Sequence, residues 1–169
     1  MHVIRALQRC LPLLLLAFGG LVSAVGAVEK EDQVRHQLEV VTTEGKVRVR
    51  LIVENRGDST IYIPREVAAE DEITGRRFDL REVSNGKAGK PVDYTGMMVK
   101  RAAPTASDYQ AVAPHTMHMH TIDITPSYAF RKGRQRYQIG YDGPWLPDVA
   151  QLDAVRHSPA EPVTFSVGK

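Results

Sequence analysis

Strict alternation limits what this chain can fold into. In "KVRVRLIVE" (46–54), Val47, Val49, Leu51 and Val53 fall on one side of an extended chain, with Lys46, Arg48 and Arg50 on the other. A helix would scatter these residues around its circumference, whereas a half-buried antiparallel strand sorts them by face. "VRHQLEV" (34–40) alternates Val34, His36, Leu38 and Val40 in the same way, and "TEG" between the two runs reads as a hairpin turn. His36 therefore falls on an apolar face, where a core histidine with satisfied nitrogens is the expectation rather than a ligand.

The period of two persists along the chain. "NRGD" (55–58) has turn composition, and "STIYIP" (59–64) then sets Ile61 and Ile63 against Tyr62, with Pro64 ending the strand or marking an edge. "RRFDLREV" (76–83) alternates Phe78 and Leu80 with charged neighbours, and "SNGKAGKP" (84–91) reads as loop. "SDYQAVAP" (107–114) and "HTMHMHTIDI" (115–124) are further strand candidates. "RYQIGYDG" (136–143) aligns Tyr137, Ile139 and Tyr141, and "PVTFSVG" (162–168) aligns Val163, Phe165 and Val167. Residues 143–162 hold four of the ten prolines and read as a long excursion, with one helical turn expected at "DVAQLDAV". Seven to nine short strands with polar turns predict an all-β fold, an immunoglobulin-like antiparallel β-sandwich.

Residues 1–27 are set apart from that fold. A basic start with Arg5 and Arg9, the apolar run "CLPLLLLAFGGLV" and small residues up to Ala24 or Ala27 follow the order of a secretory signal peptide. The run is short for a spanning helix, so export to a periplasm or the exterior is expected, with no membrane attachment after cleavage. Cleavage after Ala27 leaves residues 28–169 as one domain. It also removes Cys10, the only cysteine, and so excludes a disulfide framework, a Cys-zinc site and a cysteine nucleophile from the mature chain. The full sequence carries 22 Lys+Arg against 20 Asp+Glu; without Arg5 and Arg9 the two are equal. Such a balance gives no long-range attraction to nucleic acid. The run "RKGRQR" (131–136), centred on Gly133, reads as a solvated hairpin turn rather than a nucleic-acid patch.

One local stretch carries a chemical signal. His115, Met117, His118, Met119 and His120 lie within six residues. On a strand, His118 and His120 share a face with Ile122 and Ile124 and so point inward, while Met117 and Met119 point outward with Thr121 and Asp123. A strand beginning at His115 would add that residue to the methionine face. A His-x-His pair can share a copper or zinc ion when a further ligand arrives from elsewhere, His36 or His157 for example. Two outward thioethers with His115 suit a soft ion such as Cu(I). Neither half is complete by itself, and a strand that merely tolerates these residues is the competing reading. No other cofactor is expected. The sequence contains no His-Glu-x-x-His, no Gly-x-Ser-x-Gly and no Gly-rich phosphate loop, and no enzymatic activity is expected.

From Val47 to Gly143 the order of features resembles a particular non-catalytic domain. "VRVRLIVENRGDSTIYI" supplies a strand, an Asn-x-Gly turn and a second strand; "VDYTGMMVKRAAPTASDYQAVAP" follows with Tyr94, Gly96, Lys100, Arg101, Pro104 and Asp108-Tyr109. "TIDITPSYAFRKGRQRYQIGYDG" then gives Asp123, Tyr128, Phe130, Gly133, Tyr137 and Tyr141. This series is similar to the β-sandwich domain that precedes the catalytic domain in deuterolysin-like and peptidyl-Lys metalloendopeptidases. The family's zinc-binding residues have no matching positions here, so peptidase activity does not carry over. The resemblance implies an exported, non-enzymatic binding domain with a protein partner, a secreted metalloprotease that it helps fold or restrains. Where the family runs Pro-Gly and then small polar residues, this chain has Pro114-His115-Thr116-Met117; a periplasmic copper-binding protein is therefore the alternative. Tyr94, Lys100 and Arg101 are expected to brace the long loop around them.

Overall fold

The computed structural model describes residues 33–100 and 102–168. The expected signal peptide and Arg101 lie outside the described residues. The described residues are mostly β, with eleven short strands in several antiparallel sheets, one four-residue α-helix and no closed barrel among them.

The opening hairpin follows directly from alternation. Strands β1 (Val34–Thr43) and β2 (Lys46–Asn55) pair over their full lengths from Val34↔Asn55 to Thr43↔Lys46. Glu44 and Gly45, with φ of 53° and 78°, form the two-residue turn, whose left-handed residues match the twist of the strands. Strand β3 (Ile61–Pro64) buries Ile61 and Ile63 and stops at Pro64, where helix α1 (Arg65–Ala68) begins. Strand β4 (Asp79–Ser84) buries Leu80 and pairs with β5 (Lys87–Pro91). Strands β6 (Tyr109–Val112), β7 (Thr116–Asp123) and β8 (Gln135–Tyr141) follow. The chain closes with β9 (Pro144–Trp145), β10 (Arg156–His157) and β11 (Ala160–Val167).

Three differences from the sequence reading have physical causes. Residues 84–91 are not a loop: Asn85 and Gly86, with φ of 51° and 75°, turn the chain so that β5 pairs with β4 although all its residues are exposed. The excursion 143–162 contains the short pair β9–β10, Trp145 opposite Arg156 and Pro144 opposite His157. The helical turn expected at "DVAQLDAV" does not form; Gln151 N–H bonds the Asp148 carbonyl and Ala154 N–H the Gln151 carbonyl, giving two successive turns.

The sheets run β1-β2-β7, β11-β8-β4-β5, β3-β6 and β10-β9. One apolar cluster draws on all of the larger elements: Val47, Val49, Leu51 and Val53 of β2, Leu80 of β4, Tyr137 and Ile139 of β8, Phe165 and Val167 of β11. Burying such side chains contributes about 1.5–3 kcal/mol each.

Asn55 ties the ends of these elements together. It is 1% exposed; its amide donates to the carbonyls of Ser59, Val112 and Ala113, and its carbonyl accepts from Gly57 N–H. Asn55→Ala removes these four hydrogen bonds and is expected to lower stability by about 2 kcal/mol. Urea denaturation measures this; a loss below about 0.5 kcal/mol would mean that water replaces the amide fully.

Candidate functional site

Strand β7 carries the histidine and methionine cluster, and its register assigns the faces. His118 lies opposite Val53 and His120 opposite Leu51, both buried core residues, while Met117 lies opposite Glu54 and Met119 opposite Ile52. The inward histidines are half-buried, and the methionines are 57% and 59% exposed. The inward pair is already engaged: His118 Nε2 is 2.7 Å from the Ala68 carbonyl and His120 Nε2 is 2.9 Å from the Glu70 carbonyl. A carbonyl only accepts, so both Nε2 atoms carry a proton and donate. They satisfy carbonyls at and just beyond the end of α1, where a helix leaves acceptors without partners of its own.

His118→Ala should therefore cost about 1 kcal/mol in thermal or urea denaturation, a loss independent of any metal. No destabilisation would remove this structural account of the ring.

His115 does not begin the strand. It sits in the turn between β6 and β7 with φ of 54°, and its Nε2 lies 2.9 Å from Asp58 Oδ1. His115 and Met117 border one shallow depression of about 270 Å³, together with Glu54, Asn55, Arg56 and Thr116. The remote histidines considered as completing ligands lie in other settings. His157 Nδ1 is 2.6 Å from Asp142 Oδ2. His36 is 3% exposed, packs edge-on to Tyr141 at 5.6 Å, and has no hydrogen-bond partner for either ring nitrogen. It is thus on the core face as expected but unsatisfied. Burial lowers its pKa to about 4, with the nearby Ser158 carbonyl acting in the opposite direction. Among the described residues, no three His, Cys, Asp or Glu side chains gather as a metal would require.

Four aromatic residues singled out by resemblance assemble into a chain that Phe165 extends. Tyr94 packs on Tyr128 at 5.4 Å, Tyr128 on Phe130 at 6.5 Å, Phe130 on Tyr137 at 5.2 Å, and Tyr137 on Phe165 at 5.8 Å. Their hydroxyls bind backbone. Tyr94 Oη accepts from Gly75 N–H and lies within hydrogen-bond distance of the Ile73 and Met97 carbonyls. Tyr128 Oη donates to the Phe78 carbonyl and accepts from Phe78 N–H, and burial pushes its pKa up to about 12. Gly96 must be small, since a Cβ there would lie 2.7 Å from Tyr94 Oη. Tyr94 thus braces the loops on either side of it. Met97, Met98 and Val99 beyond it are exposed.

One cavity was not foreseen from sequence. It measures about 580 Å³ and is walled by Pro64, Pro104, Tyr109, Pro144, Trp145 and Val155, with Ala102, Ala103, Thr105 and Asp108 at one side. Glu66 and Arg77 also line it, and they are paired at 2.5 Å between Oε2 and Nε. Glu66 is 3% exposed and also accepts from Thr74 N–H and Oγ1. The Asp108 carboxylate accepts from Thr105 N–H and Oγ1. Arg156 lies over Trp145 at 5.3 Å. Volume, apolar walls and a few fixed polar groups are the properties of a binding pocket. Its residues run from Pro64 to Val155, so no local motif announces it.

Two histidine–carboxylate pairs, His115–Asp58 and His157–Asp142, lie at the surface. Neither ring hydrogen-bonds a hydroxyl among the described residues, so each offers a base and an orienting acid without a nucleophile. Comparison with protein families and with curated proteins found no match to this chain.

Proposed function

We propose that the chain is an exported, non-enzymatic binding domain with an immunoglobulin-like sandwich fold, and that its partner is a protein. A secreted metalloendopeptidase is the partner to which its resemblance points. The sandwich reading draws support from the three- and four-stranded sheets, which contribute to one shared core. The observation that carries the binding reading is the 580 Å³ cavity beside Trp145. Its charges are largely committed internally, Glu66 to Arg77 and Thr74, Asp108 to Thr105, while its walls are proline, tyrosine, tryptophan and valine. That lining suits an uncharged apolar side chain from an extended segment of the partner.

The test compares the mature wild-type protein with Val155→Glu, whose altered side chain is 42% exposed and so leaves the core intact. Capture from the exported fraction should recover a metalloendopeptidase with the wild type and lose it with the variant. The reading fails if no protease is recovered and no protease activity changes when the protein is added.

A second reading rests on His115 and Met117 sharing one depression, with Met119 on the same exposed face of β7. It is a soft-metal site for Cu(I). Untagged protein should then bind Cu(I), and Met117→Leu/Met119→Leu should abolish that binding. Equal, near-zero copper in both ends this reading.

A further inference from the structure

The excursion that supplies Pro144, Trp145 and Val155 to the cavity is fastened at its base over a single buried histidine. Ser158 N–H donates to the Gly143 carbonyl at 3.0 Å, and Ser158 Oγ donates to the Val34 carbonyl at 2.5 Å, joining the excursion to β1. Gly143 adopts φ of 60°, and a Cβ on it would lie 2.1 Å from the Ser158 carbonyl oxygen and 2.7 Å from His36 Nδ1. The two backbone segments and the imidazole are therefore in direct contact. Immediately outward, His157 binds Asp142, and Arg156 covers Trp145.

We propose that protonation of His36 releases this clasp and thereby opens the Trp145 wall of the cavity, so that acid regulates the binding site. The regulatory meaning rests on the cavity being the binding site; the structural event does not.

The surroundings explain why a charge at His36 is only partly compensated. Tyr141 offers the edge of its ring, and Ser158 and Gly143 offer backbone. Across β2, Val53 stands between His36 and His118, whose Nε2 is already donating to Ala68. Arg77 and Glu66 act on Tyr141 from the cavity side but are paired with each other. Asp142, next to Gly143 in the chain, is held by His157. The Ser158 carbonyl, beside the ring, offsets the cost of burial only in part. Protonation then favours any conformation in which the ring meets water, and the two hydrogen bonds of Ser158 are the restraint that must give way over it.

The direction follows from the two protonation equilibria. The ring titrates at about 4 when covered and at 6.5 when free. The covered state holds its full advantage above the free value. It loses that advantage progressively as pH falls from 6.5 towards 4, and nothing further changes below that. Across this window the opening equilibrium shifts by up to about 300-fold.

Trp145 is the only tryptophan in the sequence and reports on the wall without any partner present. Its emission and its quenching by acrylamide are followed from pH 7.5 to 3.5, with far-UV circular dichroism in parallel. Wild-type protein should show red-shifted, more quenchable emission at acid pH while circular dichroism is unchanged. His36→Leu should abolish the shift, and His157→Gln should keep it, separating the buried ring from the surface pair. His36→Met serves if the leucine variant does not fold. The proposal is overturned by emission that is constant across the range, by a shift that survives in the His36 variant or disappears in His157→Gln, or by a change that coincides with loss of circular dichroism. Any of these leaves the Val155→Glu capture experiment unaffected.

Discussion

Gly143→Ala is expected to destabilise the protein by about 4 kcal/mol, at the upper end for a single substitution. Two independent costs combine at this position. A φ of 60° is a left-handed conformation that an alanine adopts only with strain. The added Cβ would also stand 2.1 Å from the Ser158 carbonyl oxygen and 2.8 Å from its carbon, which are backbone atoms and cannot rotate away. The Ser158–Gly143 hydrogen bond and the Ser158 anchor on Val34 must then break or move. Urea denaturation gives the loss; Trp145 emission at pH 7.5 gives its location, since the excursion should loosen before the sheets. A cost below about 1 kcal/mol would mean that the clasp is not the tight junction described.

Glu66→Ala should cost about 3 kcal/mol, because it removes a buried carboxylate together with its hydrogen bonds and its pairing to the half-exposed Arg77. The carboxylate is 3% exposed and accepts from Arg77 Nε, Thr74 N–H and Thr74 Oγ1. It therefore pins the segment leading to β4 against α1. Its loss removes both Thr74 hydrogen bonds to the carboxylate and the ion pair with Arg77. Glu66→Gln keeps an acceptor of the same length and should recover part of the loss, because the Thr74 bonds survive while the charge pairing does not. Equal stability of the alanine and glutamine variants would show that neither bond contributes.

The two positions differ in how far the sequence exposes them. Gly143 precedes a proline-rich stretch and reads as a turn, but its closeness to His36 depends on a β1 residue more than a hundred positions earlier. Glu66 reads as one more charge in "PREVAAEDE"; its burial arises because α1 is covered by β7 and by the loop containing Thr74 and Arg77. His36 was readable as a core-face residue, yet its lack of partners was not, because that depends on which atoms of the excursion settle over it. Strand β5 escaped the pattern for a different reason. With no buried residue it has no alternation to read, and only the Asn85-Gly86 turn indicated that the chain doubles back.

What the sequence determined by itself was the set of facing choices. Alternation put Val47 to Val53 inward, divided His118 and His120 from Met117 and Met119, and aligned Tyr137, Ile139 and Tyr141. Those choices are local, since adjacent residues of a strand must point to opposite sides. The tertiary structure alone decided what each inward group meets. It gave the two histidines carbonyl acceptors at α1 and left His36 covered without one. It also brought Pro64, Tyr109 and Trp145 around one cavity. Partners of that kind come from segments far apart in the chain, and their meeting depends on how the sheets pack, which no short-range pattern records.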